Sequence, residues 1–182
     1  MLKAFFRNYI KSFEKTWSYD ASYMRDVIDA NPWSFLKFML GSQASDRKAA
    51  PAEAILAAGL VGTLAEDCGP CTQIGVDMAT AQGLSPQIIR AVLDGDEAAM
   101  GETAALAYRF ARASLAHDLA ADALRDEIVR RWGEKALVAI SLTLMASRMY
   151  PTLKYALGHG KACSKVVVAG VAAPVARLPV AA

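Results

Sequence analysis

Charge of one sign is missing from this chain: 20 Lys and Arg stand against 18 Asp and Glu in 182 residues, a formal net charge of +2. That balance gives no electrostatic footprint for nucleic acid. Basic residues also do not alternate with aromatic ones as a base-stacking surface requires. Long hydrophobic runs are missing too. The longest, Ala54–Ala65 and Ala136–Ala146, fall short of the ~20 residues that cross a bilayer, so no transmembrane segment is expected. There is no glycine-rich phosphate loop, no serine nucleophile elbow and no HExxH helix. Cysteine and histidine are scarce, at three and two residues, too few for a disulfide framework. Met1–Trp17 carries charges throughout, without an unbroken apolar core or a small-residue cleavage site, and does not read as a signal peptide. A reducing cytoplasm is the expected compartment.

What is present is apolar and helical. Hydrophobic residues make up 54% of the chain, which without a membrane span points to surface buried between subunits, hence a homo-oligomer. Lys3–Trp17 sets Phe6, Tyr9, Ile10, Phe13 and Trp17 on one side at helical spacing, beside a stripe of Lys3, Arg7, Lys11 and Lys15. The stripe reads as a solvated face rather than a membrane-binding one. Asp20 can cap a helix through Ala30, and Asn31-Pro32 reads as the cap and first residue of a third. Gly41–Ala50 breaks the pattern, and Pro51 opens an Ala-rich helix to about Glu66. Asp67 can cap a helix from Cys68 to about Gln82, closed by Gly83, and Ser85-Pro86 starts the next. Asp96 can cap a helix through about Leu115. Another helix ends at Gly133, and the last covers Glu134–Leu157, bent or broken at Pro151. Only Val166–Val168 reads as extended. The expected organisation is an N-terminal helical segment over residues 1–50, a helical core over 51–160, and an apolar tail over 161–182 that could lie across a partner subunit.

Cys68-Gly69-Pro70-Cys71 places two thiols at a helix N-terminus, with a spacing that can close a small disulfide ring. Unpaired backbone N–H groups and the helix dipole favour the nucleophilic thiolate there. Glu66 and Asp67 oppose it as neighbouring anions, but a carboxylate beside a dithiol can relay a proton during exchange. Glu66 is the candidate for that task, and Asp67 is the expected cap.

The same CGPC occurs in thioredoxin, but Asp67 stands where thioredoxins carry an aromatic residue, and Thr72 through Leu157 offers no strand for a central sheet. From about Pro51 to Leu157 the chain instead resembles the AhpD-like, or carboxymuconolactone decarboxylase-like, superfamily. The resemblance rests on the Ala-rich helix before Cys68 and Cys71, on Ala79-x-x-x-Gly83-Leu84-Ser85, on the turn into Ile88–Leu93, and on the helix Thr103–Ser114. It implies an all-α, AhpD-like helical bundle that is oligomeric. It also implies dithiol–disulfide redox chemistry, with peroxide reduction through a Cys68–Cys71 disulfide, a small-molecule oxidant, and a thiol or protein reductant. The chain departs from the pattern at two positions. The family histidine four residues after the second cysteine is Gly75 here, and the glutamate twelve residues before the first is Leu56. Glu53 or Glu66 could substitute. The alternative is a non-enzymatic ligand-binding or interaction protein of the same fold with a degenerate site.

Cys68, Cys71, His159 and Cys163 have spacings that a tetrahedral zinc accepts. The second pair is not a CxxC, however, and a core of this size needs no metal, so neither metal nor cofactor is expected. His117 reads as a helix-end residue and His159 as a turn residue, with a proton relay as its sharper reading. Arg148-Met149-Tyr150-Pro151 could line a pocket or form a buried salt bridge.

Overall fold

The computed structural model describes residues 1–160 and 166–175. Among them the chain forms nine α-helices and one short hairpin: α1 (Leu2–Trp17), α2 (Ser22–Ala30), α3 (Pro32–Ser42), α4 (Ala52–Ala65), α5 (Gly69–Ala81), α6 (Pro86–Asp94), α7 (Gly101–Leu115), α8 (Ala120–Trp132), α9 (Glu134–Ala156), β1 (Val167–Val168) and β2 (Val171–Ala172). The all-α expectation holds.

The turn chemistry accounts for most of the boundaries. Asn31 accepts hydrogen bonds from the N–H groups of Trp33 (3.0 Å) and Ser34 (3.2 Å), and Pro32 opens α3. Gly83, at φ +80°, follows α5, a conformation that glycine adopts without steric cost. Three expectations need correction. Asp20 stands one residue before the cap of α2, where its carboxylate accepts from the Ser22 N–H at 2.9 Å. Asp96 bonds the Ala99 N–H at 3.3 Å and so caps a turn, since α7 begins only at Gly101. Pro151 leaves α9 continuous over 23 residues.

α4 is the hub. Nine of its fourteen residues are buried, because a run of Ala, Leu, Val and Gly presents no polar face. It packs most extensively against α7 and α9, and α5, α6 and α8 complete a first apolar cluster around Leu60, Val61, Ile89, Tyr108, Ile128 and Ile140. The hairpin closes on this cluster, with Val166 and Val168 buried. Gln73 and Arg90 fasten it by bonding the carbonyls of Val167 and Val168 at 3.0 and 2.8 Å. Val166 and Val168 of the expected tail therefore pack on their own chain, and residues 161–165 and 176–182 lie outside the described residues.

α1–α3 build a second cluster around Phe6, Ile10, Tyr23, Ile28 and Phe35, met from the core by Ile74, Tyr150 and Leu153. Half of the basic stripe is tied to the end of α2 at the surface: Arg7 pairs with Asp29 at 2.6 Å, and Lys3 donates to the Asp29 carbonyl at 2.6 Å. α9 also differs from the sequence expectation. It is long and apolar enough, by length and composition, to cross a bilayer, although only shorter apolar runs were visible in the sequence. In this structure it serves as a wall of the core beside α4 and α8.

Candidate active site

The CxxC turn sits where α4 hands over to α5. Asp67 takes a left-handed conformation (φ +48°), which reverses the chain. The cap of α5 is then Cys68, not Asp67, and Pro70 occupies the first turn, where no backbone donor is needed. Three hydroxyls hold the turn, two of them buried. The Thr72 hydroxyl lies 3.0 Å from the Cys68 carbonyl and 3.2 Å from the Thr63 hydroxyl, and Tyr155 donates to the Asp67 carbonyl at 2.9 Å. Cys68 and Cys71 are joined as a disulfide, with Cα atoms 5.3 Å apart, and both are buried.

Cys71 forms part of the wall of a 390 Å³ cavity between the two apolar clusters. Phe13, Trp17, Ile55, Leu60 and Met78 make much of its lining. Among the described residues, Arg47 is the only charged one in that wall, and none of them lines it with a carboxylate. Leu56 and Gly75, the two positions at which the resemblance to the AhpD-like pattern fails, both belong to the lining. The wall is therefore apolar at the two places where the resemblance would put a proton relay.

Another element supplies polar groups instead. The Tyr19 hydroxyl, from the α1–α2 linker, lies 3.6 Å from the Cys71 sulfur and 3.4 Å from the Tyr23 hydroxyl. The Lys154 ammonium, from the last turns of α9, stands 5.1 Å above the Tyr19 ring and 5.9 Å from that of Tyr23. Lys154 is buried, only 6% exposed. Burial raises the Tyr19 phenol above its ordinary range, against the lowering effect of its bond to Tyr23. Burial also raises Tyr23, and the neighbouring Tyr19 adds to that shift. Both phenols are therefore protonated donors at neutral pH.

The other candidates fall elsewhere. Glu66 pairs with Arg148 at 2.6 Å and lies 3.3 Å from the Thr152 hydroxyl. Neither Glu66 nor Glu53 is in the cavity wall. The Arg148–Tyr150 segment divides. Arg148 takes the salt bridge, while Tyr150 lines the cavity and donates to Ser42 at 2.6 Å. His159 is more than a turn residue: its ring nitrogens lie 3.0 Å from the Ser22 hydroxyl and 2.7 Å from the Asp26 carboxylate, and its ring tilts toward Tyr23 at 6.4 Å. His117 follows α7 at φ +54°. Among the described residues no group of three His, Cys, Asp or Glu could hold a metal, and Cys163 lies outside them.

Tyr19, Tyr23 and Lys154 are the site residues that the sequence reading missed. The available signal was the Tyr19/Tyr23 pair one helical turn apart, but nothing local ties it to a cysteine 52 positions away. Comparison of the chain with family models, with curated proteins and with solved structures found no match.

Proposed function

We propose that this chain is an AhpD-like dithiol–disulfide oxidoreductase, acting as a homo-oligomer, that reduces a small apolar hydroperoxide held in the cavity. The observation that carries this reading is the disulfide pair whose second sulfur forms part of the wall of a mainly apolar cavity. A volume of 390 Å³ accommodates a small organic molecule. Among the described residues the wall carries one arginine and no carboxylate, which disfavours cations there.

Access to the cavity supports a division of roles. Cys71 is the attacking thiolate and Cys68, at the helix cap, is the resolving one. Cys71 attacks the outer peroxide oxygen, the O–O bond breaks, and an alkoxide leaves with the bonding pair and takes up a proton. The sulfenic acid on Cys71 is then attacked by Cys68, water departs, and the disulfide closes. A thiol or dithiol reductant must supply two electrons to reopen it.

Peroxide consumption with a dithiol reductant tests the reading. Cys71→Ser abolishes turnover. Cys68→Ser leaves a single stoichiometric reduction that stops at the sulfenic acid. Turnover that survives in the double variant overturns the proposal. The absence of a carboxylate and an imidazole at Leu56 and Gly75 favours the second reading, a ligand-binding protein with a degenerate site. Unimpaired uptake of an apolar ligand by the double-serine variant, with no thiol turnover in the parent, would select it.

A further inference from the structure

We propose that Tyr19 is the catalytic hydrogen-bond donor to the Cys71 thiolate and the proton source for the leaving alkoxide, held in place by Tyr23 and Lys154, so that a phenol pair from the α1–α2 segment performs the task left empty at Leu56 and Gly75. This rests on the dithiol reading above and names the groups that make its thiolate reactive.

The geometry carries the assignment. When the disulfide is reduced, Cys71 sulfur becomes an anionic acceptor. The Tyr19 hydroxyl is already 3.6 Å away and can turn its one proton to it. Tyr23, 3.4 Å beyond, can donate in turn to the Tyr19 oxygen, giving a two-phenol chain that ends on sulfur. The Lys154 ammonium, over both rings, adds a positive charge to a site with little water to screen it. The other groups facing Tyr19 are Asp20 in its own linker and Tyr150 from α9. Arg47 also faces the cavity, and Phe13 packs edge-on against the Tyr19 ring at 6.0 Å. Hydrogen bonds to the charged form and a nearby cation both lower a thiol pKa.

The proton balance follows from the same placement. As Cys71 attacks, the Tyr19 O–H bond breaks and its proton goes to the alkoxide oxygen. The resulting phenolate is stabilised by Lys154 and recovers a proton from solvent through the cavity before the next turnover. Tyr19 touches the reacting sulfur and is catalytic; Tyr23 and Lys154 are positioning residues.

Tyr19→Phe in the full chain is the decisive variant, since it removes one oxygen and keeps the ring under Lys154. In a Cys68→Ser background, thiolate absorbance against pH reads the Cys71 ionisation without any turnover. Tyr19→Phe should raise that midpoint by about one pH unit, and peroxide consumption near neutral pH should fall on the order of tenfold. Tyr23→Phe should shift both in the same direction by less, and provides the reading if Tyr19→Phe does not fold. An unchanged thiol midpoint in the folded variants overturns the proposal. A shifted midpoint in a protein that consumes no peroxide would keep the Tyr19 assignment and sink the peroxide reading instead.

Discussion

Three tyrosines hold their protons beyond the ordinary phenol range, and that gives the residue scale its own pH dependence. Burial is the leading cause at Tyr19, Tyr23 and Tyr150, opposed at Tyr150 by its bond to Ser42. A buried phenol is neutral while protonated. As pH passes about 10, the unfolded chain loses these protons first and the folded state binds more of them. Their contribution to stability is therefore complete below about pH 10 and drains away as pH rises through the higher folded-state values. The limiting slope is about 1.4 kcal/mol per pH unit for each such tyrosine. Thermal melts should show a steep loss of stability above about pH 10, and phenolate absorbance should rise together with unfolding. Tyr150→Phe should make the loss shallower. Three tyrosines that ionise freely near pH 10 in the intact fold would contradict the burial argument.

At the scale of elements, the fold depends on how closely α4 and α9 approach. A Cβ at Gly62 would overlap the Ser147 hydroxyl and stand 3.0 Å from the Leu144 carbonyl oxygen. The hydroxyl can rotate, but the carbonyl belongs to α9 itself. Gly62→Ala is therefore expected to destabilise by about 1–3 kcal/mol, despite the better helix propensity of alanine. Gly59, one turn earlier, is the control. Its Cβ would meet Thr143 Cγ2 at 3.6 Å, an ordinary contact, so Gly59→Ala should be neutral or stabilising. Denaturant unfolding of the two variants separates the effects, and equal losses would mean that crossing distance is not what fixes glycine at 62.

The same scale explains what could be read from the chain. Asn31-Pro32, Gly83 and Ser85-Pro86 act on their immediate neighbours, so the boundaries they set were legible from a few residues. The same local rule for caps misplaces Asp67 and Asp96. The Asp67 backbone reverses the chain at φ +48°, while Asp96 caps a turn ahead of α7. The cysteine pair was legible because its chemistry lies within four residues. Its partners were not: Tyr19 reaches Cys71 only when α1–α3 fold against α5 and α9, a tertiary event without local periodicity. Glu66 illustrates the converse. It is adjacent to the motif in sequence, yet its carboxylate is engaged by Arg148 and Thr152.

For the whole molecule, the question is where so much apolar surface goes. Much of it fills the two clusters, and some lines the cavity between them. A third share remains outside, most plainly on α9. Glu134, Val138, Ser141, Met145 and Arg148 recur at helical spacing along its exposed side, with Val138 and Met145 exposed by 55% and 46%. Only 39% of the most apolar stretch of α9 is buried within one chain. A helix that is apolar nearly all round normally has its outer side covered as well. A second copy running antiparallel would set Val138 against Met145 and bring each acidic Glu134 end toward the basic Arg148 end of the other, the self-complementary arrangement of a two-fold interface. Sedimentation should return a multiple of the 19.4 kDa chain mass. Val138→Glu with Met145→Glu should reduce it to a single chain while leaving the far-ultraviolet spectrum unchanged. A parent protein that already sediments as one chain would remove the oligomer from the proposed function. It would leave the α9 face to be covered by something else, and association of the parent but not of the double variant with lipid vesicles would identify that cover as a bilayer.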